Sequence, residues 1–129
     1  MTDNTATVRG IYAAFSRGDV PAIFAVMAPD IQWTEAEGFP YGGVYVGSDA
    51  IVSNVFMPLG TEWEGFAAAP GEFVAQGDTV VVLGTYSGKY KATGKSFKAP
   101  FAHVWKLRDG KVQSLHQHTD TAVVQRALR

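Results

Sequence analysis

The sequence contains no cysteine, and its charged residues are few and balanced. Without cysteine the chain cannot form a disulfide, a thiolate metal site or a cysteine nucleophile, and it is compatible with a reducing compartment. Its 11 basic and 12 acidic residues give a formal net charge of −1 and are scattered along the chain. Because nucleic-acid-binding proteins concentrate lysine and arginine on one surface, we expect no nucleic-acid partner.

Long apolar runs are missing as well. No stretch approaches the roughly 18–20 residues that span a bilayer, and the first ten residues, MTDNTATVRG, lack the apolar core of a signal peptide. We therefore expect no membrane association and a cytoplasmic location. The 47% of hydrophobic residues is typical of a globular core, and 129 residues predict one domain over 1–129.

Helical patterns lie at the two ends of the chain and in its first half. Four apolar residues recur at helical spacing near the start, namely Val8, Ile11, Tyr12 and Phe15. A second short helix is predicted over 20–28, and Ser48 is a plausible N-cap for a helix through Phe56. Asp120 precedes a short terminal helical pattern over 121–128, where an N-cap role is expected.

The remaining segments predict β-structure. Residues 31–35 alternate between apolar and polar side chains as a strand does, and the glycine-rich segment 37–47 is predicted to be a loop. From Glu62 onward, turn signals separate the strands of a long antiparallel meander. The run 80–83 is apolar on both of its faces, so we expect a second copy in a homodimer to cover the outer one.

The segment 97–108 shows the clearest strand alternation. One face holds Phe97, Ala99, Phe101, His103, Trp105 and Leu107, while the charged residues fall on the other. Because the charges mark the solvent side, His103 is predicted to point inward, where its ring nitrogens need partners. It could donate a hydrogen bond to a ligand oxygen that gains charge, or it could be a structural histidine held by its neighbours.

Glu35 is the second candidate for chemistry. It shares a strand face with Ile31 and Trp33, and a carboxyl group that faces an apolar interior has a raised pKa. A carboxylate in that position can take a proton from a carbon next to a carbonyl group. The alternative is a solvated, inert side chain at the end of the strand.

Aromatic side chains are numerous enough to line a cavity for a small, flat, apolar ligand. The candidates are Trp33, Phe39, Tyr41, Tyr45, Trp63 and Tyr86, together with Ile11, Tyr12 and Phe15 of the first helix and with Phe101 and Trp105. Packing of a core would use the same residue types. The sequence therefore predicts a ligand pocket without deciding the role of each side chain.

The turn at Asp109-Gly110 decides which side chains of the last strand face inward. If the loop consists of those two residues alone, His103 lies opposite His116, and His118 faces inward as well. Three imidazoles would then share the interior, an arrangement that suits zinc and related metals.

A three-residue loop, Arg108-Asp109-Gly110, with Gly110 as a bulge would shift the register by one. In that case the inward residues are Leu115, Gln117 and Thr119, and both histidines of the last strand face out. The apolar pattern is compatible with either register, because Val112 and Leu115 fall on opposite faces of a regular strand.

Five short motifs occur in order along nearly the whole chain. They are IYAAF at 11–15 followed by Gly18-Asp19, APDIQW at 28–33, GSDAI at 47–51, FAHVW at 101–105 and RDGKV at 108–112. In this order they resemble the ketosteroid isomerase and SnoaL-like proteins of the nuclear transport factor 2-like superfamily. The resemblance implies an α+β fold in which a cone-shaped, strongly curved antiparallel sheet packs on N-terminal helices, usually as a dimer through the outer face of the sheet.

The resemblance also implies roles for individual residues. Glu35 falls where the isomerases have a general-base aspartate, and His103 falls where they have a protonated aspartate that binds the enolate oxygen and where the polyketide cyclases have a histidine. Ile11 stands where the isomerases have an oxyanion-binding tyrosine, with Tyr12 next to it. Gln117 stands where the cyclases have an acid/base aspartate.

Together these observations predict a pocket for a small apolar carbonyl compound. Proton transfer there would use Glu35 as the base, His103 as the oxygen-binding donor and Gln117 as an orienting group, without metal or cofactor. The register that the resemblance implies places Leu115, Gln117 and Thr119 inward, which favours the bulged hairpin. The alternative function is a ligand-binding module of the same fold without turnover.

Overall fold

The computed structural model describes residues 3–129, and its helices cover one face of a single sheet. The helices are α1 (Asn4–Ser16), α2 (Val20–Ala25), α3 (Ser48–Ile51), α4 (Met57–Glu62) and α5 (Thr121–Ala127). A π-helical turn, Val52–Phe56, joins α3 to α4 without a break. No helix in the described part of the chain is long and apolar enough to cross a membrane.

Aspartate side chains begin three of these helices, because each accepts a hydrogen bond from a backbone N–H of the first turn. Asp3 caps α1, Asp19 caps α2, and Asp120 caps α5, as predicted for the last of them. The cap predicted at Ser48 is wrong. Ser48 is the first residue of α3, and Gly47 precedes it with a φ of 86° that favours glycine.

The six strands are β1 (Met27–Glu35), β2 (Gly43–Val46), β3 (Trp63–Gln76), β4 (Thr79–Tyr90), β5 (Lys95–Arg108) and β6 (Lys111–Thr119). They form one curved, unclosed sheet in the order β2-β1-β6-β5-β4-β3. All neighbours are antiparallel except β1 and β6, which run parallel. Strand β2 corrects the predicted loop over 37–47, because its alternating Val44, Tyr45 and Val46 pair with β1 beyond the glycine-rich turn.

The β5–β6 hairpin reaches the expected register by an unexpected route. Asp109 and Gly110 alone form the turn with φ of 51° and 77°, so the predicted three-residue loop is wrong. Left-handed φ at both positions is what a two-residue type I′ turn requires. The extra residue is Gln113, which pairs with nothing on β5, and it allows Val112 and Leu115 to be buried on the same side.

Beyond this bulge, His103 pairs with Gln117, and the two histidines of β6 lie on the opposite face of the sheet. His116 and His118 are exposed there and stack on each other with ring centroids 4.6 Å apart. The three-imidazole arrangement is therefore excluded, because the sheet separates His103 from the other two.

The outer face of the sheet carries a row of side chains that crosses all six strands. From β3 to β2 the row is Val74, Val81, Val104, His116, Thr34 and Val44. Val74 and Val44 are exposed, and Val81 and Val104 are half-buried. We call these residues the outer row.

Candidate functional site

A cavity of about 50 Å³ lies between the concave face of the sheet and the helices, with room for roughly three to five water molecules. Most of its wall is apolar. The side chains on the wall that carry polar atoms are Tyr12, Trp33, Glu35, Tyr86, His103, Trp105 and Gln117. Strands β1, β4, β5 and β6 and helix α1 thus bring their hydrogen-bonding groups to one small space.

The structure brings eleven of the residues that the sequence suggested to this wall, namely Ile11, Tyr12, Phe15, Trp33, Glu35, Phe39, Tyr86, His103, Trp105, Leu115 and Gln117. Alternation of side chains along β1, β5 and β6 accounts for six of these positions. Five other suggested residues lie off the wall, so the cavity positions predicted for them are wrong. They are Tyr41, Tyr45, Trp63, Phe101 and Thr119.

Tyr41, Tyr45 and Trp63 stabilise the loop before β2 instead of lining the cavity. The Tyr41 hydroxyl donates to the Glu62 carboxylate at 2.5 Å and accepts the indole N–H of Trp63 at 3.0 Å. The Tyr45 hydroxyl donates to the backbone carbonyl of Tyr41 at 2.8 Å. These bonds join the loop to the end of α4. The bonded residues Tyr41 and Trp63 are 22 positions apart, so local sequence patterns do not predict their contact.

Phe101 and Thr119 contact neighbouring residues of the sheet and do not line the cavity. Phe101 is buried as predicted, but its ring stacks on His103 with centroids 4.0 Å apart, and it is not among the residues that face the cavity. The Thr119 hydroxyl donates to the backbone carbonyl of Pro100 at 2.8 Å, at the end of the hairpin.

Part of the wall was not anticipated. It comes from α2, the π-helical turn, α4 and β3, and its residues are Ile23, Val55, Phe56, Leu59, Phe66 and Ala68. The i, i+4 spacing of Val55 and Leu59 is the sequence signal that could have found it. A π-helical turn places one additional residue in the turn, and such turns are frequent at functional sites.

Glu35 ends β1 with its side chain only 5% exposed. Burial raises the pKa of its carboxyl group to about 8, and the nearby indole N–H of Trp33 lowers that pKa by a smaller amount without reaching hydrogen-bonding geometry. The carboxyl group is therefore mostly protonated at pH 7. The carboxyl group accepts no hydrogen bond from residues 3–129, which leaves it free for a ligand.

His103 is buried to the same degree but is fully partnered. Its Nδ1 lies 2.6 Å from the Tyr12 hydroxyl, and its Nε2 lies 2.5 Å from the Tyr86 hydroxyl. Burial lowers the pKa of the imidazole to about 3, so the ring is neutral near pH 7. Because both ring nitrogens are occupied, His103 does not itself offer an N–H to a ligand, contrary to the direct donor role predicted for it.

Two further donors fix the ends of this chain of hydrogen bonds. The backbone N–H of Ala36 donates to the Gln117 Oε1 at 2.9 Å, so the amide nitrogen of Gln117 faces the Tyr86 hydroxyl and donates to it at 2.8 Å. At the other end the Trp105 indole N–H donates to the Tyr12 hydroxyl at 3.0 Å. Gln117 thus orients a tyrosine, not a ligand directly.

The hydrogen-bonded chain Tyr12–His103–Tyr86 carries one more polar hydrogen than its two internal hydrogen bonds use. Burial raises the pKa of both phenols, so each keeps its hydrogen, and the neutral imidazole carries one more. Two hydrogen bonds within the chain use two of these three hydrogens. One tyrosine hydroxyl therefore keeps a free O–H on the cavity wall, and the tautomer of His103 decides whether it belongs to Tyr12 or to Tyr86.

Comparison with known proteins agrees with this architecture. The sequence pattern of the SnoaL-like domain matches residues 8–115, which is most of the chain. The chain belongs to the SnoaL-like family. The family resemblance inferred from the sequence is thereby confirmed, and so is the α+β class.

Solved structures similar to this SnoaL-like domain include two NTF2-like proteins. The one from Burkholderia thailandensis E264 is 44% identical with a TM-score of 0.96, covering 100% of this chain and 99% of that chain. The one from Burkholderia pseudomallei K96243, of unknown function, is 35% identical with a TM-score of 0.90, covering 98% of each. TerC, co-crystallized with polyporic acid, is 31% identical with a TM-score of 0.87, covering 97% of each. No curated protein matches the chain.

Proposed function

We propose that this SnoaL-like domain binds a small apolar carbonyl compound and transfers a proton on it. The observation that supports this most is the unpartnered, buried Glu35 carboxyl in the same cavity as the free tyrosine O–H. A base and an oxygen-binding donor are the two groups that enolisation requires. TerC, a relative that was crystallised with an organic acid, supports an organic ligand for this kind of pocket.

The reaction step needs only these two groups of the chain. The C–H bond next to the carbonyl breaks, its proton passes to the ionised carboxylate of Glu35, and its electron pair moves to the carbonyl oxygen. The free O–H of Tyr12 or Tyr86 binds that oxygen as charge develops on it. Return of the proton from Glu35 to another carbon completes an isomerisation.

His103 and Gln117 act in this proposal as positioning residues. The neutral imidazole holds both hydroxyl groups, and the Gln117 amide fixes the direction of the Tyr86 hydroxyl. His103 passes no net charge, since its pKa of about 3 keeps it neutral throughout the working range.

The test is solvent hydrogen exchange into a panel of small cyclic ketones and enones in D₂O, followed by NMR. Glu35→Gln keeps the shape of the side chain but removes the base, and we expect the protein-dependent exchange rate to fall by about 10²–10⁴-fold. Glu37→Gln is the matched control, because Glu37 is exposed two residues away. Full exchange activity in Glu35→Gln would falsify the role of this base.

A second candidate, a binding module without turnover, is supported by the mostly neutral state of Glu35 at pH 7. A protonated carboxyl group binds a polar group of a ligand but takes no proton from it. The same panel discriminates between the two functions. Ligands that bind but show no protein-dependent exchange, even above pH 8, would favour the binding module.

We also propose that two copies associate through the outer row. Its valines expose apolar surface on the outer face of the sheet, and Leu83 on the same face is 42% exposed. Light scattering after size exclusion should give the mass of a dimer, and Val81→Lys should give that of a monomer. The control Ser53→Lys, on the exposed side of the π-helical turn, should stay dimeric. A wild-type monomer mass would contradict the association.

A further inference from the structure

The indole N–H of Trp33 is a buried donor without an acceptor. Trp33 is 7% exposed, it lies on the cavity wall, and its Nε1 has no hydrogen-bond partner within residues 3–129. Buried N–H groups are nearly always paired in folded proteins, so an unpaired one on a cavity wall indicates an acceptor that the cavity receives.

Trp33 lies between the two functional parts of the cavity. On one side its N–H is close enough to the Glu35 carboxyl to influence the pKa of that group. On the other side its ring packs edge-on against Trp105 with centroids 5.7 Å apart. Trp105 in turn holds the Tyr12 hydroxyl at 3.0 Å, so the Trp33 donor and the tyrosine donor are separate groups on one wall.

We propose that the Trp33 N–H binds a second oxygen of the ligand, and that the ligand is a 1,3-dicarbonyl compound. This inference rests on the proposed function and specifies its substrate class. Beside the Glu35 carboxyl lie the Trp33 N–H and the spare tyrosine O–H, which are free to donate, whereas the His103 imidazole, the Gln117 amide and the Trp105 indole are each hydrogen-bonded to another residue. A ligand with one oxygen would leave one of the donors unpaired.

The chemistry of a 1,3-dicarbonyl compound uses all three groups. The C–H bond of the carbon between the carbonyls breaks, and its proton goes to the Glu35 carboxylate. The electron pair spreads over both oxygens, one of which accepts from the Trp33 N–H and the other from the free tyrosine O–H. Sites built to pair every polar group discriminate strongly against analogues that lack one of the partners.

Cyclohexane-1,3-dione and cyclohexanone form a matched pair of probes that differ in the second oxygen when they are compared at an acidic pH at which the dione is uncharged. The indole signals in a ¹H–¹⁵N spectrum report each tryptophan N–H, and single Trp→Phe variants assign them. We expect cyclohexane-1,3-dione to move the Trp33 indole signal, and cyclohexanone to leave it in place. The shift is measured on the wild-type chain, and the variants serve only to assign the signals.

Trp33→Phe keeps an aromatic ring but removes the donor. We expect it to weaken binding of cyclohexane-1,3-dione by about 10-fold, the usual effect of one lost hydrogen bond, and to change cyclohexanone binding by less than about twofold. Trp63→Phe is the control, because its indole N–H binds Tyr41 outside the cavity, and it should preserve the preference for the dione.

An unmoved Trp33 indole signal at saturating dione would overturn the inference, and so would equal loss of both probes in Trp33→Phe. These outcomes are separate from those of the proposed function. If Glu35→Gln abolishes exchange while the Trp33 indole signal does not respond to the dione, the catalytic role of Glu35 is supported and the dicarbonyl specificity is wrong. If the dione binds through Trp33 but the protein accelerates no exchange in the panel of ketones and enones, the dicarbonyl specificity stands and the catalytic role of Glu35 is wrong.

Discussion

Glu35 and His103 are two ionisable side chains in the same cavity, 5% and 6% exposed, yet their surroundings differ completely. Burial favours the uncharged form of each, and it raises the pKa of Glu35 to about 8 and lowers that of His103 to about 3. The carboxyl group has no partner within residues 3–129, whereas the imidazole has one on each nitrogen. Equal burial therefore produces a group that can react and a group that holds others in place.

The largest effect that tests this contrast is the pH dependence of proton transfer. Only ionised Glu35 acts as a base, so kcat/KM for exchange should rise by roughly 50-fold between pH 6 and pH 8 along a single limb. His103 should add no limb, since it stays neutral over this range. A second limb near pH 6.5 that disappears in a His103 variant would break the contrast.

The pH dependence of stability should show both groups with opposite signs. Glu35 has a raised folded-state pKa, so its contribution is complete below about pH 4.5 and is lost as the pH rises towards 8. His103 has a lowered folded-state pKa, so its contribution to stability is complete above about pH 6.5 and is lost as the pH falls towards 3. The two slopes cancel between these limits and leave a plateau.

Above the plateau only the Glu35 slope remains. We expect the free energy of unfolding to fall by about 1 to 2 kcal/mol between pH 6.5 and pH 8, and not to fall over the same interval in Glu35→Gln. Urea denaturation at several pH values measures both. If the decline persists unchanged in Glu35→Gln, another group causes it.

The smallest expected effect concerns the partners that hold His103 in place. Gln117→Leu removes the donor to Tyr86 and leaves the Ala36 N–H to find water, so we expect a loss of about 1 kcal/mol in the free energy of unfolding. Gln32→Leu, at an exposed position of β1, should change it by less than about 0.5 kcal/mol. Equal effects of the two would show that the hydrogen-bond chain adds nothing to stability.

Local patterns were sufficient to predict several elements of the fold and some site positions. The alternation of 97–108 predicted the inward face of β5, and that of 31–35 predicted Glu35 on the face of Trp33, because a strand repeats every two residues. The helical spacing of Ile11, Tyr12 and Phe15 likewise predicted one face of α1. Each of these inferences needs only residues that are close in sequence.

The partners of His103 depend on pairings that sequence patterns do not contain. Tyr12 meets the imidazole across 91 positions and Tyr86 across 17, and no local spacing indicates which tyrosines will do so. The sequence therefore suggested His103 as a donor to the ligand, when the tyrosines on either side occupy both of its nitrogens. The prediction that Tyr41 and Trp63 line the cavity was wrong for the same reason, because the hydrogen bond between them links segments that are distant in sequence.

The unpaired Gln113 has a consequence that extends along the rest of β6. A single additional residue exchanges odd and even positions for every side chain that follows, which places Gln117 toward the interior and sends His116 and His118 to the opposite surface. If the same residues of β6 paired with β5 without this bulge, His116 would lie opposite His103, and His118 would face the interior as well. The chemical character of the cavity thus depends on strand parity as much as on residue identity.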